Sequence, residues 1–327
     1  MSSDLAPKEA HQESDAVELS VVMACYNAQG FLEEAVGSAL SQVDVTLEVL
    51  ITDDHSTDGS LDLAQKLSEA DPRVRVFQTP HNLGPGGARN IGIEAMRGEW
   101  YGVLDCDDRM APERSRLLID EAKALGADMI ADDLHVFGGT EGEHRHLGDA
   151  FASLRDISLD AYFNATQMYG PNPNLGFLKP LIRRSALHDG GHRYHEDLRI
   201  AEDDELVIKL LLAGRRYVLS NKALYHYRKH DASISHRLSA DHAARMVASE
   251  EMVRAAVVEA GHNSAAYQAR YNSIQDAASF SRTVQAIKQR DWIASLREIA
   301  QRPRALRHFV MPIKSRLQKL SSRLGVT

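Results

Sequence analysis

The sequence predicts an α/β fold with a mostly parallel central sheet flanked by helices, and two observations carry this prediction. Short apolar segments rich in β-branched residues alternate with segments whose apolar side chains recur at helical spacing. Three of the apolar segments end directly in polar turns, at residues 26–27, 53–59 and 105–108. Alternation of this kind is typical of parallel strands with covering helices, and such sheets bind ligands at the carboxyl ends of their strands.

Four strands are predicted in the first part of the chain, over residues 20–25, 47–52, 74–77 and 100–104. Apolar residues at helical spacing follow the first two strands: Phe31, Leu32, Ala35, Val36, Ala39 and Leu40, then Leu61, Leu63, Ala64 and Leu67. Ser56 or Asp58 is suited to cap the second of these helices. A glycine-rich segment over residues 82–90 follows the third strand.

The fourth strand runs into an acidic cluster formed by Asp105, Asp107 and Asp108. Three carboxylates this close repel one another unless a hard divalent cation lies among them, because Mg²⁺ and Mn²⁺ prefer carboxylate, water and phosphate oxygens. The cluster therefore predicts a metal–phosphate site at the edge of the sheet. The structural alternative is a solvated acidic turn.

A second acidic group, residues 202–205, precedes a segment with apolar residues at helical spacing that ends near Gly214. These residues would form the first turn of a helix. There the alternative to a catalytic role is stabilisation of the helix dipole, which acidic residues at a helix N-terminus provide.

The composition is that of a globular enzyme, since 327 residues suffice for a large core and the net charge of −8 argues against broad nucleic-acid binding. Cys25 and Cys106 both end predicted strands, so no disulfide framework is expected. No apolar run is long enough to span a bilayer, and residues 1–17 lack a hydrophobic signal core. We therefore expect a cytoplasmic protein.

The ordered set of motifs resembles the family 2 glycosyltransferases, inverting nucleotide-sugar enzymes with a GT-A fold. The resemblance extends from about Leu19 to about Arg237. It is carried by residues 20–27 with the helix after them, 53–59, 82–90, 105–107 and 201–203. The arrangement between Gly84 and Asp108 is most similar to bacterial exopolysaccharide transferases of the succinoglycan type.

The resemblance implies a metal-dependent hexosyltransferase that takes UDP-glucose or a similar UDP-sugar, with Mn²⁺ or Mg²⁺ as cofactor. It implies donor-binding roles for Tyr26, Asn27, Asp53, Asp54, Arg89 and Asp105. Asp54 would contact the uracil with Asp53 beside it, Arg89 would lie near the ribose or diphosphate, and Asp105 would face the ribose or sugar. Asp107 would hold the metal that bridges the two phosphates.

The resemblance also implies that Asp203 is the catalytic base, because relatives place a Glu–Asp pair immediately before this apolar helix. A rival pair, Glu196–Asp197, lies six residues earlier. The chemistry requires such a group, since the acceptor hydroxyl loses a proton as it attacks the sugar. A cation at the other acidic site would neutralise the charge of the departing diphosphate.

Two positions depart from the family pattern: Cys25, where many relatives have Pro, and His55, where relatives usually have Gly. Neither substitution removes a required chemical group. His226 and Arg228 either approach the diphosphate or metal, or belong to a packed strand and a surface loop. The histidines lack a strict zinc spacing with cysteines.

We expect the chain to divide into a disordered N-terminus (1–17), a GT-A domain (18–237), a helical extension (238–300) and a basic amphipathic tail (301–327). No acidic residue follows Glu298. Such a tail fits an anionic membrane surface, which would place the protein peripherally on the cytoplasmic face of the inner membrane. It fits equally well a packed position on the acidic body of the protein or on a second subunit.

Three functions remain open from the sequence. The first is transfer of a sugar from a UDP-sugar to a saccharide or lipid-linked saccharide acceptor. The second is a catalytically inactive nucleotide-sugar-binding protein on the same fold. The third is a dinucleotide-dependent oxidoreductase, but the glycines over residues 84–87 follow the third strand and lack the spacing of a dinucleotide-binding motif.

Overall fold

Strands and helices alternate through most of the chain and give way to helices at its C-terminal end. The computed structural model describes residues 16–140, 142–230 and 240–309. The strands are β1 (Leu19–Cys25), β2 (Leu47–Asp53), β3 (Val74–Gln78), β4 (Trp100–Val103), β5 (Arg109–Met110), β6 (Met129–Ala131), β7 (Leu134–Phe137), β8 (His144–Arg145), β9 (Leu181–Arg183), β10 (Tyr217–Leu219) and β11 (Tyr225–Arg228). The helices are α1 (Leu32–Leu40), α2 (Ser60–Ala70), α3 (Gly84–Ala95), α4 (Arg114–Leu125), α5 (Leu159–Ala165), α6 (Arg184–His188), α7 (Glu202–Leu212), α8 (Ala240–Glu259), α9 (Ala265–Lys288) and α10 (Trp292–Gln301), with 3₁₀ turns at Leu175–Phe177 and Pro303–Phe309.

A seven-stranded sheet in the order β10-β6-β9-β4-β1-β2-β3 forms the centre of the structure. β1 pairs in parallel with β2 and β4, β2 pairs in parallel with β3, and β10 pairs in parallel with β6. β9 runs antiparallel to both of its neighbours, β4 and β6. The predicted fold class, a mostly parallel sheet with flanking helices and a C-terminal helical extension, is therefore confirmed.

The register of the parallel strands brings the predicted polar turns to one edge of the sheet. Cys25 at the end of β1 lies opposite Asp53 at the end of β2, and Val22 lies opposite Val103 near the end of β4. The three turns that follow these strands are therefore neighbours in space, as parallel pairing requires.

A second, four-stranded sheet in the order β5-β11-β7-β8 lies beyond the acidic turn. β5 begins at Arg109, directly after the acidic cluster, and His226 of β11 pairs with it. This pairing brings a strand from late in the chain next to the carboxylates that end β4.

Helix α3 packs unusually closely on β1 because it carries glycine where a side chain would not fit. A Cβ added to Gly92 would lie 2.4 Å from Cγ1 of Val22. Gly84, the first residue of the helix, has a φ of +82°, a backbone conformation that favours glycine. The glycine-rich segment thus serves helix packing and helix initiation.

The C-terminal helices are joined to the α/β part of the protein by buried charges. Arg270 of α9 is 2% exposed and donates to Glu250 of α8 at 3.1 Å and to Asp204 of α7 at 3.4 Å. It also donates to the backbone carbonyl of Thr166, just after α5, at 3.3 Å. The helical extension is thereby tied to the helix that carries the predicted catalytic base.

The described part of the predicted basic tail packs on α9. Arg302 and Arg307 both form ion pairs with Asp276, at 3.0 Å and 3.4 Å, and Ala305 and His308 are buried. This favours the packing interpretation for residues 302–309. The rest of the tail and residues 1–15 of the predicted disordered N-terminus lie outside the described residues, and the proposed domain boundaries stay predictions.

Within the described ranges, no helix combines the length and the apolar character that crossing a bilayer requires.

Substitution of Arg270 by Met is expected to lower the free energy of unfolding by about 3–5 kcal/mol, because it leaves two carboxylates without their buried cation. Urea denaturation followed by circular dichroism would measure the change. The matched control is Arg254→Met in α8, whose ion pair with Glu251 is exposed and should contribute little to stability. Equal effects of the two substitutions would contradict the prediction.

Candidate functional site

The turns after β1 and β2 are bound to each other by side-chain hydrogen bonds. The backbone N–H of Asn27 donates to Oγ of Ser56 at 3.0 Å, and Oδ1 of Asn27 accepts from the backbone N–H of Thr57 at 2.8 Å. Tyr26 is half exposed beside them. The predicted donor-binding pair Tyr26 and Asn27 therefore lies on a rigid, solvent-facing rim at the sheet edge.

The two adjacent carboxylates at the end of β2 have different partners. Asp54 is buried and accepts from the backbone N–H groups of Leu83 and Gly84, both at 2.7 Å, and from the Thr79 hydroxyl at 3.1 Å. It therefore caps the N-terminus of α3. The predicted contact of Asp54 with a uracil stays a prediction, since the structure engages both of its oxygens with the protein.

Asp53, in contrast, has a carboxylate oxygen that accepts no hydrogen bond from the described residues. Its Oδ2 accepts from the backbone N–H of Ser56 at 3.1 Å, but its buried Oδ1 has no hydrogen-bond partner in the part of the chain that the structure describes. A buried polar atom without a partner requires an explanation, and a bound ligand is one.

The turn after β2 also contains His55, which departs from the glycine of the family pattern. This residue has a φ of +62°, a left-handed conformation in which glycine has no steric cost. Its backbone geometry is consistent with the glycine that the family resemblance implies at this position. Residues held in this conformation are commonly found at functional sites.

The centre of the site is Arg89 of α3, which holds three carboxylates from distant parts of the chain. Its guanidinium donates to Asp105 at 2.8 Å, to Glu202 at 2.8 Å and to Asp203 at 3.1 Å. The ring of Tyr194 lies below it, 5.4 Å from the guanidinium carbon. The structure thus brings the two predicted acidic sites together around one buried cation.

A second cation, Lys179, was missed in the sequence analysis. Its ammonium contacts Asp105 at 2.8 Å and Asp203 at 3.0 Å, and only 9% of its side chain is exposed. Arg89 and Lys179 therefore bridge the same two carboxylates in parallel. The available signal was a single lysine within an otherwise apolar run over residues 175–182, which indicates a buried charge with a partner.

The two cations compete with burial in setting the pKa values of the carboxylates in this cluster. Burial raises the pKa of Asp203, but Arg89 and Lys179 outweigh that effect and hold the pKa below its usual range. The pKa of Asp105 is likewise held well below its usual range, because Lys179 and Arg89 oppose its burial. Burial and the neighbouring Asp203 raise the pKa of Glu202.

Lys179 is positioned by a fully buried ion pair. Arg114 donates to the backbone carbonyl of Lys179 at 2.6 Å and pairs with Asp132 at 2.9 Å, and neither side chain of the pair is exposed. Asp132 in turn accepts from the backbone N–H of Tyr225 at 3.1 Å. The Tyr225 hydroxyl then accepts from the backbone N–H of Asp105 at 3.2 Å, which completes a chain of contacts around the site.

The first turn of α7 contains four carboxylates that point in different directions. Glu202 and Asp203 face Arg89, whereas Asp204 accepts from the hydroxyl of Tyr162 at 2.6 Å and Glu205 pairs with Lys209. Helix-dipole stabilisation alone does not require such specific partners. The residue before them, Ala201, has a φ of +60°, so the start of this helix is conformationally strained.

The rival pair Glu196–Asp197 lies away from the cluster. Asp197 is 86% exposed at its side chain, and its ion-pair contact is with His195 at 3.9 Å. The geometry therefore favours Asp203 over Asp197 as the buried, charge-coupled carboxylate.

Asp107 points to a different group from Asp105. Its side chain is 35% exposed and contacts His230 at 2.9 Å, and its backbone carbonyl accepts from Nε of Arg228 at 2.8 Å. Arg228 also donates its backbone N–H to Asp108 at 2.8 Å and forms an ion pair with Glu34 of α1. Arg228 therefore contacts the acidic turn, and its approach to a diphosphate or metal stays a prediction.

His226 belongs to a packed strand, β11, as one of the two interpretations predicted. Its ring lies 5.2 Å from that of His135 and 6.4 Å from that of Phe137, inside the second sheet. Burial and the neighbouring His135 lower the pKa of His226 below its usual value.

The chemistry of the donor set at Asp107 fits a divalent cation that is shared with a substrate. The described residues contain no group of three or more His, Cys, Asp or Glu side chains arranged to hold a metal. Mg²⁺ and similar ions, however, are usually bound by one or two carboxylates together with water and substrate phosphates. Asp107 and His230 offer such a partial set of ligands.

The chain matches the model of glycosyl transferase family 2 over residues 20–189. It is 36% identical to the succinoglycan biosynthesis protein ExoO of Rhizobium meliloti, over 94% of this chain and 88% of that protein. The predicted resemblance to this family and to succinoglycan-type transferases is confirmed.

Solved structures share the architecture at low sequence identity. TarS of S. aureus in complex with UDP-GlcNAc aligns with a TM-score of 0.59 and 18% identity, over 85% of this chain and 89% of that one. The mannosyltransferase PcManGT of Pyrobaculum calidifontis, in complex with GDP-Man and Mn²⁺, aligns with a TM-score of 0.53 and 16% identity, over 88% of this chain and 80% of that one. These likenesses agree with the GT-A fold.

Proposed function

This chain belongs to glycosyl transferase family 2 and is a glycosyltransferase, and on that premise we propose that it transfers a hexose from a UDP-sugar to a saccharide acceptor. The proposed transfer inverts the configuration at the anomeric carbon. We place it in bacterial exopolysaccharide biosynthesis of the succinoglycan type. The observation that carries the proposal is the cluster in which Arg89 and Lys179 join Asp105 to Asp203. It unites the predicted donor-side carboxylate with the predicted base in one buried site.

The donor-binding rim is proposed to consist of Tyr26, Asn27 and Asp53. Asp53 has the unpartnered acceptor described above, which suits the N–H group of a pyrimidine ring, whereas Asp54 supports this rim by capping α3. The similarity in fold to a protein that binds UDP-GlcNAc supports a uridine nucleotide.

Asp107, with His230 beside it, is proposed to hold Mn²⁺ or Mg²⁺ together with the donor's phosphates. When bound, such an ion supplies positive charge where the departing diphosphate becomes more negative. Arg89 is a second positive group close to Asp105, and it requires no reorganisation as that charge develops.

Asp203 is proposed to accept the proton of the acceptor hydroxyl as that oxygen attacks the anomeric carbon. The bond from this carbon to the diphosphate breaks in the same displacement, UDP leaves, and the configuration is inverted. Because Arg89 and Lys179 keep the pKa of Asp203 low, the carboxylate is ionised and ready to accept a proton across the physiological range.

The acceptor is proposed to be a lipid-linked saccharide, which agrees with a peripheral position on the cytoplasmic face of the inner membrane. The basic residues after residue 309 support this location, because they would be attracted to anionic lipid.

The alternative is a catalytically inactive nucleotide-sugar-binding protein on the same fold. The observation that favours it is the pairing of Asp105 and Asp203 with Arg89 and Lys179, which engages both carboxylates with the protein's own cations. Turnover of a UDP-sugar by the wild-type protein, with the loss on substitution described below, separates the two functions.

Substitution of Asp107 by Ala is expected to abolish Mn²⁺- or Mg²⁺-dependent binding of UDP-sugars and to leave the fold intact, since the side chain is partly exposed. Isothermal titration of UDP with and without metal would measure this. Asp62→Ala, on the exposed face of α2, is the control. Unchanged turnover of the Asp107 variant, or full activity of the wild type in EDTA, would contradict the assignment.

Substitution of Asp203 by Asn keeps the shape of the side chain but removes the proton acceptor. Donor binding is expected to survive, and transfer is expected to fall by about 10²–10⁴-fold. Asp197→Asn is the matched control and should transfer normally. The opposite result, with loss only in the Asp197 variant, would assign the base to the exposed pair.

Substitution of Lys179 by Met is expected to move the acidic limb of the pH profile of kcat/KM to higher pH. Lys179 lowers the pKa of Asp203, so its removal raises that pKa and the base becomes protonated at a higher pH. Lys179→Arg should retain the wild-type limb. A uniform loss of rate at every pH, with the limb unmoved, would reduce Lys179 to a purely structural role.

A further inference from the structure

Helix α10 presents a large apolar surface to solvent. Trp292 is 63% exposed, Ile293 is 76% exposed and Leu296 is 67% exposed. Trp292 and Leu296 are four residues apart and Ile293 is adjacent, so the three side chains lie on one face of the helix. We name these three residues the α10 apolar face. Exposed aromatic and aliphatic groups clustered in this way mark an interaction surface.

The opposite face of α10 is fixed to the protein, so the helix cannot simply turn its apolar residues inward. Ser295 is buried and donates to the carbonyl of Asp291. Glu298 pairs with Arg282 at 3.0 Å and accepts from the hydroxyl of Ser279 at 3.2 Å, both on α9. The packing of α10 against the other described residues therefore uses the face that carries Ser295 and Glu298 and leaves the apolar face exposed.

The surroundings of the α10 apolar face are basic. Lys288, Arg290, Arg297 and Arg304 are exposed on or next to this helix. Of the nearby carboxylates, Glu298 is turned toward α9, and Asp291 accepts from the backbone N–H of Ala294 as the helix cap. We name these four basic residues the basic rim. A partner with an anionic surface and an apolar interior therefore complements both the basic rim and the α10 apolar face.

We propose that the α10 apolar face and its basic rim form the surface by which this protein binds an anionic phospholipid bilayer. Trp, Ile and Leu would enter the boundary between headgroups and acyl chains, and the basic side chains would lie among the headgroup phosphates. The inference rests on the proposed peripheral membrane location. It does not depend on the transfer reaction.

The positive charge of the basic rim argues against two other partners for the α10 apolar face, namely residues 310–327 of this chain and a second copy of the protein. Residues 310–327 of this chain carry basic but no acidic residues, so covering the face with this segment would bring like charges together. A second copy related by two-fold symmetry would likewise place two basic rims against each other. An anionic bilayer has neither difficulty.

The turn after α10 and helix α9 both contact the chain between α5 and Lys179. The ring of His308, in the 3₁₀ turn after α10, lies 4.9 Å from that of Tyr169, and the backbone N–H of Met168 donates to Ser273 of α9 at 2.9 Å. The segment that contains Met168 and Tyr169 continues toward Lys179.

Tryptophan fluorescence tests the proposal directly, because the chain has two tryptophans with opposite exposure. Trp100 is fully buried and acts as an internal reference, whereas Trp292 is exposed. Addition of vesicles containing phosphatidylglycerol to the full-length protein should shift the emission to shorter wavelength and protect it from aqueous iodide. Pure phosphatidylcholine vesicles should have little effect, and added salt should weaken the response.

A triple substitution, Trp292→Ser, Ile293→Ser and Leu296→Ser, should lower co-sedimentation with the anionic vesicles by about tenfold or more, since it removes most of the apolar contribution. The control is Val258→Ser, a residue of α8 that is also 67% exposed. The triple variant should transfer sugar to a soluble acceptor as the wild type does, because its changes lie outside the site.

Three results would overturn the proposal. These are no vesicle binding by the wild type, equal binding by the triple variant, and a change of oligomeric state in the triple variant by light scattering. The last would identify a second copy as the occupant. Vesicle binding without any sugar transfer by the wild type would instead reject the proposed function and leave the surface standing.

Discussion

The site depends on one electrostatic constraint: buried carboxylates can be brought together only where cations lie between them. Asp105, Glu202 and Asp203 come from two distant parts of the chain and would repel one another strongly at low dielectric. Arg89 and Lys179 remove that repulsion, and each must itself be held in place without full exposure to water. Because isolated buried charges are very costly, the surrounding structure is organised to keep both cations and carboxylates paired.

The positions that the sequence predicted correctly are those set by local pattern. Strands that end in polar turns have only one edge at which those turns can meet, so the neighbourhood of Asn27, Asp53 and Asp105 followed from the alternation of strands and helices. The helix that begins at Glu202 likewise followed from its apolar spacing and from the glycine after it. The assignment of the fold needed no knowledge of side-chain contacts.

What could not be predicted depends on contacts between residues far apart in the sequence. Lys179 lies in a segment whose local pattern gives no partner, and its ammonium meets Asp105 only because β9 runs antiparallel between β4 and β6. Asp54 also caps α3, a contact that its local sequence does not reveal. The protein partners of two adjacent carboxylates are decided by strand register and helix placement, and neither is visible in the local sequence.

Asp203 and Asp204 show how the helical extension becomes part of the site. The two residues are adjacent on the first turn of α7, so their side chains diverge around the helix. Asp203 turns to Arg89 and Lys179, whereas Asp204 turns to Tyr162 and, through Arg270, to the C-terminal helices. A rotation of α7 that improved one set of contacts would break the other. The helices after the α/β sheet therefore fix the orientation of the proposed base without touching it.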